Sequence, residues 1–261
     1  MQHFTRVQVE VGGDGHRFLV DSGIGLTVIS PTIANGPGVE PTGETFAAQR
    51  MSGQTVEVPL VRLASLRLGD HTVEGQVACV ADLGDVEGPN GFAGIVGLGF
   101  FEGHAITTDA RTLTLTVEPS SAFQAAGGFD VPLRIRRQGV AIDSFVTLVL
   151  PSGREVEVEV DTGSGSLILN TRFMADCGLS PDSPDLSTTT GVDETGHEWT
   201  RHWAKVSGKV HLAAAPETAH DGPRVQFQDI IYDGLIGTEY LERYRYTFDV
   251  PGERLVLFPH D

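Results

Sequence analysis

The sequence predicts an all-β protein made of two similar β-barrel lobes that are related by pseudo-twofold symmetry. An Asp-[Ser/Thr]-Gly triplet occurs at Asp21 and again at Asp161, 140 residues later. Each triplet is followed, 76 residues after its Asp, by the glycine that ends an apolar-apolar-Gly run, Gly97 or Gly237. Between these motifs, short runs with period-two alternation are separated by glycine-rich turns, a pattern typical of strands joined by hairpins.

In both halves, two strands lead into the Asp triplet. Val7–Val11 alternates polar and apolar residues, and His16–Val20 returns and ends directly before Asp21. Phe145–Leu150 and Glu155–Val160 repeat this arrangement in the second half. The sequence therefore predicts that each lobe presents one Asp at the end of a strand, so that the symmetry brings two carboxyl groups face to face.

Short helices are predicted after the third strand of each half. Ser30-Pro31 has the pattern of an N-cap followed by proline at the first helical position. Asn170 is the equivalent cap, and Cys177-Gly178 is a plausible helix end. The polar stretch 216–223 is predicted to be a loop, equivalent to the Gly/Asp-rich stretch 83–91.

The repeat divides the chain into an N-terminal lobe over residues 1–120, a small-residue linker over 121–130 and a C-terminal lobe over 131–261. Each lobe carries one Asp loop. Residues 131–142 are predicted to form a hairpin without a counterpart in the first lobe, which contributes to a sheet shared by both lobes.

Composition excludes several function classes. The net charge of −17 over 261 residues argues against nucleic-acid binding, because phosphates would be repelled, and permits cationic peptides as partners. No apolar run is long enough to cross a membrane, and no secretory signal precedes the first strand. We therefore expect a cytoplasmic protein without membrane association, whose Cys79 and Cys177 remain free thiols.

The motifs Phe18–Gly23, Gly94–Gly97, Val160–Gly163 and Gly234–Gly237 together resemble those of the aspartic peptidases. The duplication is similar to that of the bilobal pepsin-like enzymes, and the short lobes are similar to those of the retropepsin-like enzymes. This resemblance covers nearly the whole chain. It implies an acid-protease-like fold with the active site in the cleft between the lobes, and a monomeric aspartic endopeptidase that acts on peptide or protein substrates.

The resemblance also implies a role for each motif residue. Asp21 and Asp161 are the catalytic pair: two nearby carboxylates cannot both ionise cheaply and therefore share one proton, which suits general acid/base activation of a water. No metal or cofactor is expected, since the spacing of His197 and His202 matches no common ligand pattern. The remaining candidates support the active-site loops (Ser22, Gly23, Gly97, Thr162, Gly163, Ser164 and Gly237) or form a substrate-binding flap (Met51, Ser52, Gly53 and Gln54).

The implied roles within the loops differ. The hydroxyls of Ser22 and Thr162 lock the two Asp loops together, and the amides of the triplet glycines hold the carboxylates. The glycines of the apolar runs brace the backbone behind each loop. Ser164 occupies a position from which, in pepsin-like enzymes, a hydroxyl can bond the catalytic carboxylate.

Two departures keep alternatives open. Ile24 stands where the second loop has Ser164 and cannot make that bond, and the first hairpin lacks the tyrosine of pepsin-like flaps. The alternatives are a non-catalytic peptide-binding module with this fold, and a processing protease selective for one partner.

Trp199 and Trp203 either cover the second barrel, which is the favoured interpretation, or line a substrate pocket. Asp109 and Asp249, which also repeat, are interpreted as structural caps of turns.

Overall fold

The computed structural model describes residues 4–84, 91–192 and 196–260. The predicted all-β class is confirmed. The strands form three sheets: one from the first half of the chain, one from the second half, and one to which both halves contribute.

The first sheet is built from nine strands in the order β4-β5-β8-β3-β9-β2-β1-β6-β7. Its central strands carry the first Asp loop, because β2 ends directly before Asp21 and pairs in parallel with β9. The strands are β1 (Thr5–Val11), β2 (Asp14–Val20), β3 (Val28–Ile29), β4 (Val39–Gln49), β5 (Thr55–Leu63), β6 (Ser65–Leu68), β7 (His71–Glu74), β8 (Val77–Val80) and β9 (Gly94–Val96).

The second sheet repeats this topology strand for strand, in the order β17-β18-β21-β16-β22-β15-β14-β19-β20, with β13 paired to β14 in addition. Here β15 leads to Asp161 and pairs in parallel with β22. The strands are β13 (Arg134–Gln138), β14 (Ala141–Val149), β15 (Glu155–Val160), β16 (Leu167–Asn170), β17 (Ser187–Val192), β18 (Glu198–Lys205), β19 (Lys209–Leu212), β20 (Ala215–Asp221), β21 (Arg224–Gln228) and β22 (Gly234–Ile236).

The third sheet joins the two halves, in the order β11-β10-β23-β24-β12. In the pairing of β10 with β23, Thr107 lies opposite Thr247, its equivalent in the repeat, and their hydroxyls are 2.8 Å apart. Because equivalent residues face each other, the local twofold axis passes between them. The strands are β10 (His104–Asp109), β11 (Thr114–Pro119), β12 (Phe129–Pro132), β23 (Tyr244–Asp249) and β24 (Arg254–Pro259).

The helices are single turns, and their caps follow the sequence signals. In α1 (Pro31–Ala34) the Ser30 hydroxyl accepts the Ile33 N–H, and α2 (Thr238–Leu241) follows the second glycine run. The 3₁₀ turns span Leu98–Phe101, Thr171–Phe173 and Ala175–Cys177, and the last ends at Gly178 in the left-handed region. Within the described ranges, no helix is both long and apolar enough to cross a lipid bilayer.

The predicted loop over 216–223 was wrong, because most of it lies in β20, which pairs with β19. The side chain of Thr218 explains the strand: its hydroxyl donates to the Ala215 carbonyl (2.7 Å) and accepts the Leu212 N–H (3.2 Å) and the Tyr240 hydroxyl (3.0 Å). A polar sequence is thus held in a sheet by tertiary hydrogen bonds that local propensity does not encode.

The hairpin predicted over 131–142 divides between two sheets. β12 begins at Phe129, inside the stretch predicted as linker, and pairs with β24 in the shared sheet. The following strand, β13, turns away and extends the second sheet through β14.

The two repeated aspartates cap turns in different environments. The carboxylate of Asp109 accepts the backbone N–H groups of Arg111 and Thr112. Asp249 is fully buried and accepts from the Ser120 hydroxyl (2.6 Å), the Gly252 N–H (3.1 Å) and the Arg254 Nε (2.8 Å). Asp249 therefore connects the end of the predicted N-terminal lobe to the last hairpin.

We expect Asp249→Ala to lower the free energy of unfolding by about 3 kcal/mol, because it leaves Ser120 and Arg254 without their buried partner. Asp109→Ala, the equivalent change at a more exposed turn, is expected to cost about 1 kcal/mol. Urea denaturation of both variants measures the difference. Equal losses would contradict a special role of Asp249 in joining the two segments.

Candidate active site

The two Asp loops are presented by equivalent strand pairs. The backbone N–H of Asp21 donates to the Val96 carbonyl, and that of Asp161 to the Ile236 carbonyl, both at 3.0 Å. Each Asp is therefore fixed to the parallel neighbouring strand, β9 for Asp21 and β22 for Asp161.

Reciprocal hydrogen bonds of two buried hydroxyl groups lock the loops together. The Ser22 hydroxyl donates to the Val160 carbonyl (2.6 Å) and accepts the Thr162 N–H (3.1 Å). The Thr162 hydroxyl donates to the Val20 carbonyl (3.3 Å) and accepts the Ser22 N–H (3.0 Å). Four hydrogen bonds, related by the local twofold, thus connect the strand ends that carry the two carboxyl groups.

The carboxyl groups of Asp21 and Asp161 lie side by side and interact through a hydrogen bond. The Gly163 N–H donates to both, at 3.1 Å to Asp21 Oδ1 and 2.8 Å to Asp161 Oδ1, and the Gly23 N–H donates to Asp21 Oδ1 at 2.8 Å. A Cβ atom at Gly23 would lie 2.5 Å from Asp161 Oδ1, and one at Gly163 would lie 2.2 Å from Asp21 Oδ2. The close approach of the carboxyl groups therefore requires glycine in both triplets.

Burial raises the pKa of both carboxyl groups. For Asp21, the hydrogen bonds from Gly23, Asp161 and Gly163 oppose this effect. For Asp161, the charge of Asp21 and the hydrogen bond between them add to burial and hold its pKa well above the ordinary value. The pair therefore retains a proton at a pH where isolated aspartates are ionised.

The glycines of the apolar runs lie close behind the Asp loops, and only Gly237 meets backbone atoms too near for a side chain. A Cβ atom at Gly237 would lie 2.4 Å from the Ser164 carbonyl oxygen, and one at Gly97 would lie 3.0 Å from Cγ2 of Ile24. Both glycines lie in the position expected of a brace, and the contact in the second half is the tighter one.

Ser164 differs from its sequence-based expectation. Its hydroxyl lies 3.4 Å from both the backbone N and the carbonyl oxygen of Ser166, and only its backbone N–H acts on the Asp161 carboxylate. Its carbonyl accepts the Thr238 N–H at 2.9 Å. Ser164 therefore supports the loop through its backbone, since its side chain turns along the loop instead of toward the carboxylate.

Ile24 points into a small apolar cluster and also lines the cleft. It packs against the buried residues Leu26, Val28 and Leu60. Its side chain thus serves as packing on one side and as part of the cleft wall beside Asp21 on the other.

The hairpin between β4 and β5 folds over the Asp pair as the predicted flap. The Met51 carbonyl accepts the Ile231 N–H at 3.0 Å, and its side chain packs near Ile168 and Leu235 in the second half. Met51 and Ser52 line the cleft, Gly53 (φ +87°) lies against Ile231, and Gln54 accepts a hydrogen bond from Ser52. The flap tip is therefore closed onto the second half.

The hairpin between β17 and β18 also borders the cleft. Trp199 lines a cavity of about 540 Å³ that contains both carboxyl groups, and Trp203 lines an adjoining cavity of about 690 Å³. Both tryptophans therefore border cavities of the cleft, as the alternative interpretation expects, and covering of the second barrel stays a prediction. The turn predicted at 194–196 lies largely outside the described residues, and no group of three potential metal ligands occurs in the part that is described.

Sequence reasoning missed Glu159, a 4 % exposed carboxylic acid on the cleft floor beside Asp161. Burial raises its pKa to about 9, and the nearby carboxyl groups of Asp161, Asp143 and Asp21 add to the shift. Burial likewise raises the pKa of Asp143. A signal was available, because the equivalent residue of the first repeat is Leu19, and an acid at this position breaks the apolar pattern.

Removing the Glu159 carboxyl should stabilise the protein in a pH-dependent way. Because the pKa rises from about 4.5 in the unfolded chain to about 9 in the folded protein, the cost that is linked to ionisation is absent below pH 4.5 and increasingly destabilises the fold as the pH rises to 9. We expect Glu159→Leu to gain stability over wild type across this range, by at most about 1.4 kcal/mol per pH unit.

Urea denaturation of Glu159→Leu at several pH values checks this expectation. Glu155→Leu, which removes an exposed carboxyl on the same strand, is the matched control and should show no such trend. A stability difference between Glu159→Leu and wild type that does not change with pH would contradict the raised pKa.

Comparison with known proteins agrees with the geometry over the first half of the chain. Residues 7–100 match the family model described as aspartyl protease, and the matched stretch contains the first Asp triplet and the first glycine run. A search of curated proteins gave no significant match. The resemblance to aspartic peptidases is therefore confirmed by the match over residues 7–100.

Proposed function

We propose that this protein is an aspartic endopeptidase that acts as a single-chain, bilobal monomer and cleaves extended peptides bound in the cleft between its halves. The observation that carries the proposal is the contact between Asp21 and Asp161, whose carboxyl groups share a hydrogen bond and the N–H of Gly163. The family match to residues 7–100 supports a hydrolase of this class.

In the proposed mechanism, one carboxylate of the pair removes a proton from a water molecule that attacks the peptide carbonyl. The other carboxyl, which carries the shared proton, protonates the carbonyl oxygen. The tetrahedral intermediate then collapses, and the amine leaves with a proton returned from the pair. The hydroxyl lock of Ser22 and Thr162 keeps the carboxyl groups at a fixed separation through this sequence.

The flap supports an endopeptidase in particular. The cavity of about 540 Å³ runs beneath the flap backbone from Ala48 to Ser52 and is bounded on the other side by Trp199 and Tyr232. An extended peptide in this cavity would lie between the Asp pair and the flap, with apolar and aromatic walls for its side chains.

We expect Asp21→Asn and Asp161→Asn each to lower kcat/KM on a diverse peptide library by at least about 10³-fold. Either change removes one of the two carboxyl groups that share the proton. Asp70→Asn, at an exposed turn, is the control and should cleave like wild type. Retention of cleavage by either folded active-site variant would rule out a shared pair.

The pH profile gives a second test of the same pair. Activity needs one proton on the two carboxyl groups, and the pKa of both is raised. The ionised carboxylate therefore forms only above the ordinary aspartate pKa, and the remaining proton is lost at a still higher pH. We expect a bell-shaped kcat/KM profile with its maximum above the ordinary aspartate pKa of about 4, whereas a maximum below that pH would contradict the raised pKa values.

Ile24 favours a second candidate, a peptide-binding module without catalysis, since it lines the cleft beside Asp21 and brings no hydroxyl. A statine-containing peptide distinguishes the two candidates. Both predict that it raises the melting temperature by mass action, but only the peptidase predicts that this stabilisation is lost in Asp21→Asn and Asp161→Asn.

A further inference from the structure

The cavity beneath the flap has an acidic floor. Glu159 lies on strand β15, which ends one residue before Asp161, and both residues line this cavity. A carboxyl group on this floor, two residues from Asp161, is placed to face a side chain next to a bond held at the Asp pair.

The fold does not require an acid at this position. Leu19, the equivalent residue of the first repeat, is 4 % exposed, and so is Glu159. Strand β2 and strand β15 occupy equivalent places in identical sheet orders. A leucine thus fits this site, and burying a carboxylic acid there costs stability without improving packing.

Within the described part of the chain, the Glu159 carboxyl forms neither a hydrogen bond nor a salt bridge. Arg136 is the one cation among the described residues that lowers its pKa. The guanidinium of Arg136, however, forms a salt bridge with Glu157 and stacks on Phe145 at 4.1 Å. Glu159 therefore lacks a counter-ion of its own.

The other charges that act on Glu159 are all negative. They come from Asp161, Asp143 and Asp21, and each raises its pKa. Two arginines (Arg50 and Arg201) line the same cavity from the two hairpins, yet neither lowers the pKa of Glu159. Arg201, for example, donates to Gln228 at 3.1 Å and stacks on Trp199 at 4.2 Å.

We propose that Glu159 is a specificity-determining residue, and that the protein prefers substrates with a lysine or arginine side chain next to the scissile bond. This inference rests on the proposed peptidase function. The cationic group of the substrate supplies the counter-ion that the cavity floor lacks, and Tyr232 beside Glu159 offers a wall for the aliphatic part of the side chain. A charge-assisted hydrogen bond in a site shielded from water is a strong recognition element.

Binding of such a side chain is coupled to loss of a proton. The empty site keeps Glu159 protonated at neutral pH because its pKa is about 9, and a bound ammonium or guanidinium group favours the ionised form. The proton leaves to solvent. The preference for cationic substrates should therefore increase as the pH rises from about 5 toward 9, while the lysine remains charged.

The test compares two peptides that differ only in lysine or norleucine next to the scissile bond. Wild type should prefer lysine in kcat/KM by about 10- to 100-fold. Glu159→Leu should reverse the preference, and Glu159→Gln, which keeps the shape, should abolish it. Glu155→Gln, an exposed carboxyl on the same strand, is the control and should keep the wild-type preference.

Wild type that cleaves both peptides with equal efficiency, or a lysine preference that survives in Glu159→Gln, would overturn the proposal. A preference for lysine that does not change between pH 5 and 8 would also overturn it, because the coupled proton loss would be missing.

A binding experiment separates failure of this inference from failure of the proposed function. Calorimetry of statine peptides with lysine or norleucine, in two buffers of different ionisation enthalpy, should show tighter binding of the lysine peptide and release of a proton in wild type. Equal binding without proton release overturns the role of Glu159 alone. Absence of binding by both peptides, together with absence of cleavage, overturns the peptidase function itself.

Discussion

The reciprocal hydrogen bonds between Ser22 and Thr162 are the constraint on which the candidate site depends. Each hydroxyl donates to the carbonyl that precedes the opposite Asp and accepts the amide of its partner. Two buried carboxyl groups repel each other when both are ionised. Other groups must therefore hold the two loops together at this short distance. The hydrogen bonds of the two hydroxyls hold the loops together. Gly23 and Gly163, which follow the hydroxyl residues, leave room for the carboxylate of the opposite loop.

The shared sheet provides a second attachment on the same axis. Thr107 and Thr247 pair across β10 and β23, and the strands that flank them belong to both halves of the chain. Buried Asp249 then ties this sheet to Ser120 at the end of the first half. The halves are thus joined at the Asp loops and at the sheet, and the flap tip adds a third contact through the hydrogen bond from Ile231 to Met51.

Much of this arrangement could be predicted from the sequence, because the signals are local and occur twice. The Asp triplets, the glycine runs and the caps at Ser30 and Asn170 each lie where their patterns indicate. The same reasoning failed where contacts between residues distant in sequence determine the local structure. Strand β20 is held by the contact between Thr218 and Tyr240, which no local pattern reveals.

The cleft was the least predictable part for the same reason. The tryptophans of the second hairpin line the cavities because of where the sheet places that hairpin, which no local pattern reveals. Ser164 has the expected identity, but the path of the loop turns its hydroxyl toward Ser166. Alternation of Glu and Val is typical of a half-exposed strand, so Glu159 was overlooked. In the structure Glu159 is buried on the floor of the cavity that the flap residues and Tyr232 also line.

The most direct test is an NMR titration of the aspartate carboxyl carbons, with Asp21 and Asp161 assigned from the Asn variants. A shared proton predicts that the two resonances titrate together in two steps, that the second step lies well above the pKa of an ordinary aspartate, and that Asp21→Asn returns Asp161 to a single step. Two independent titrations near pH 4 would show that the carboxyl groups do not form a pair, and the proposed chemistry would then be excluded.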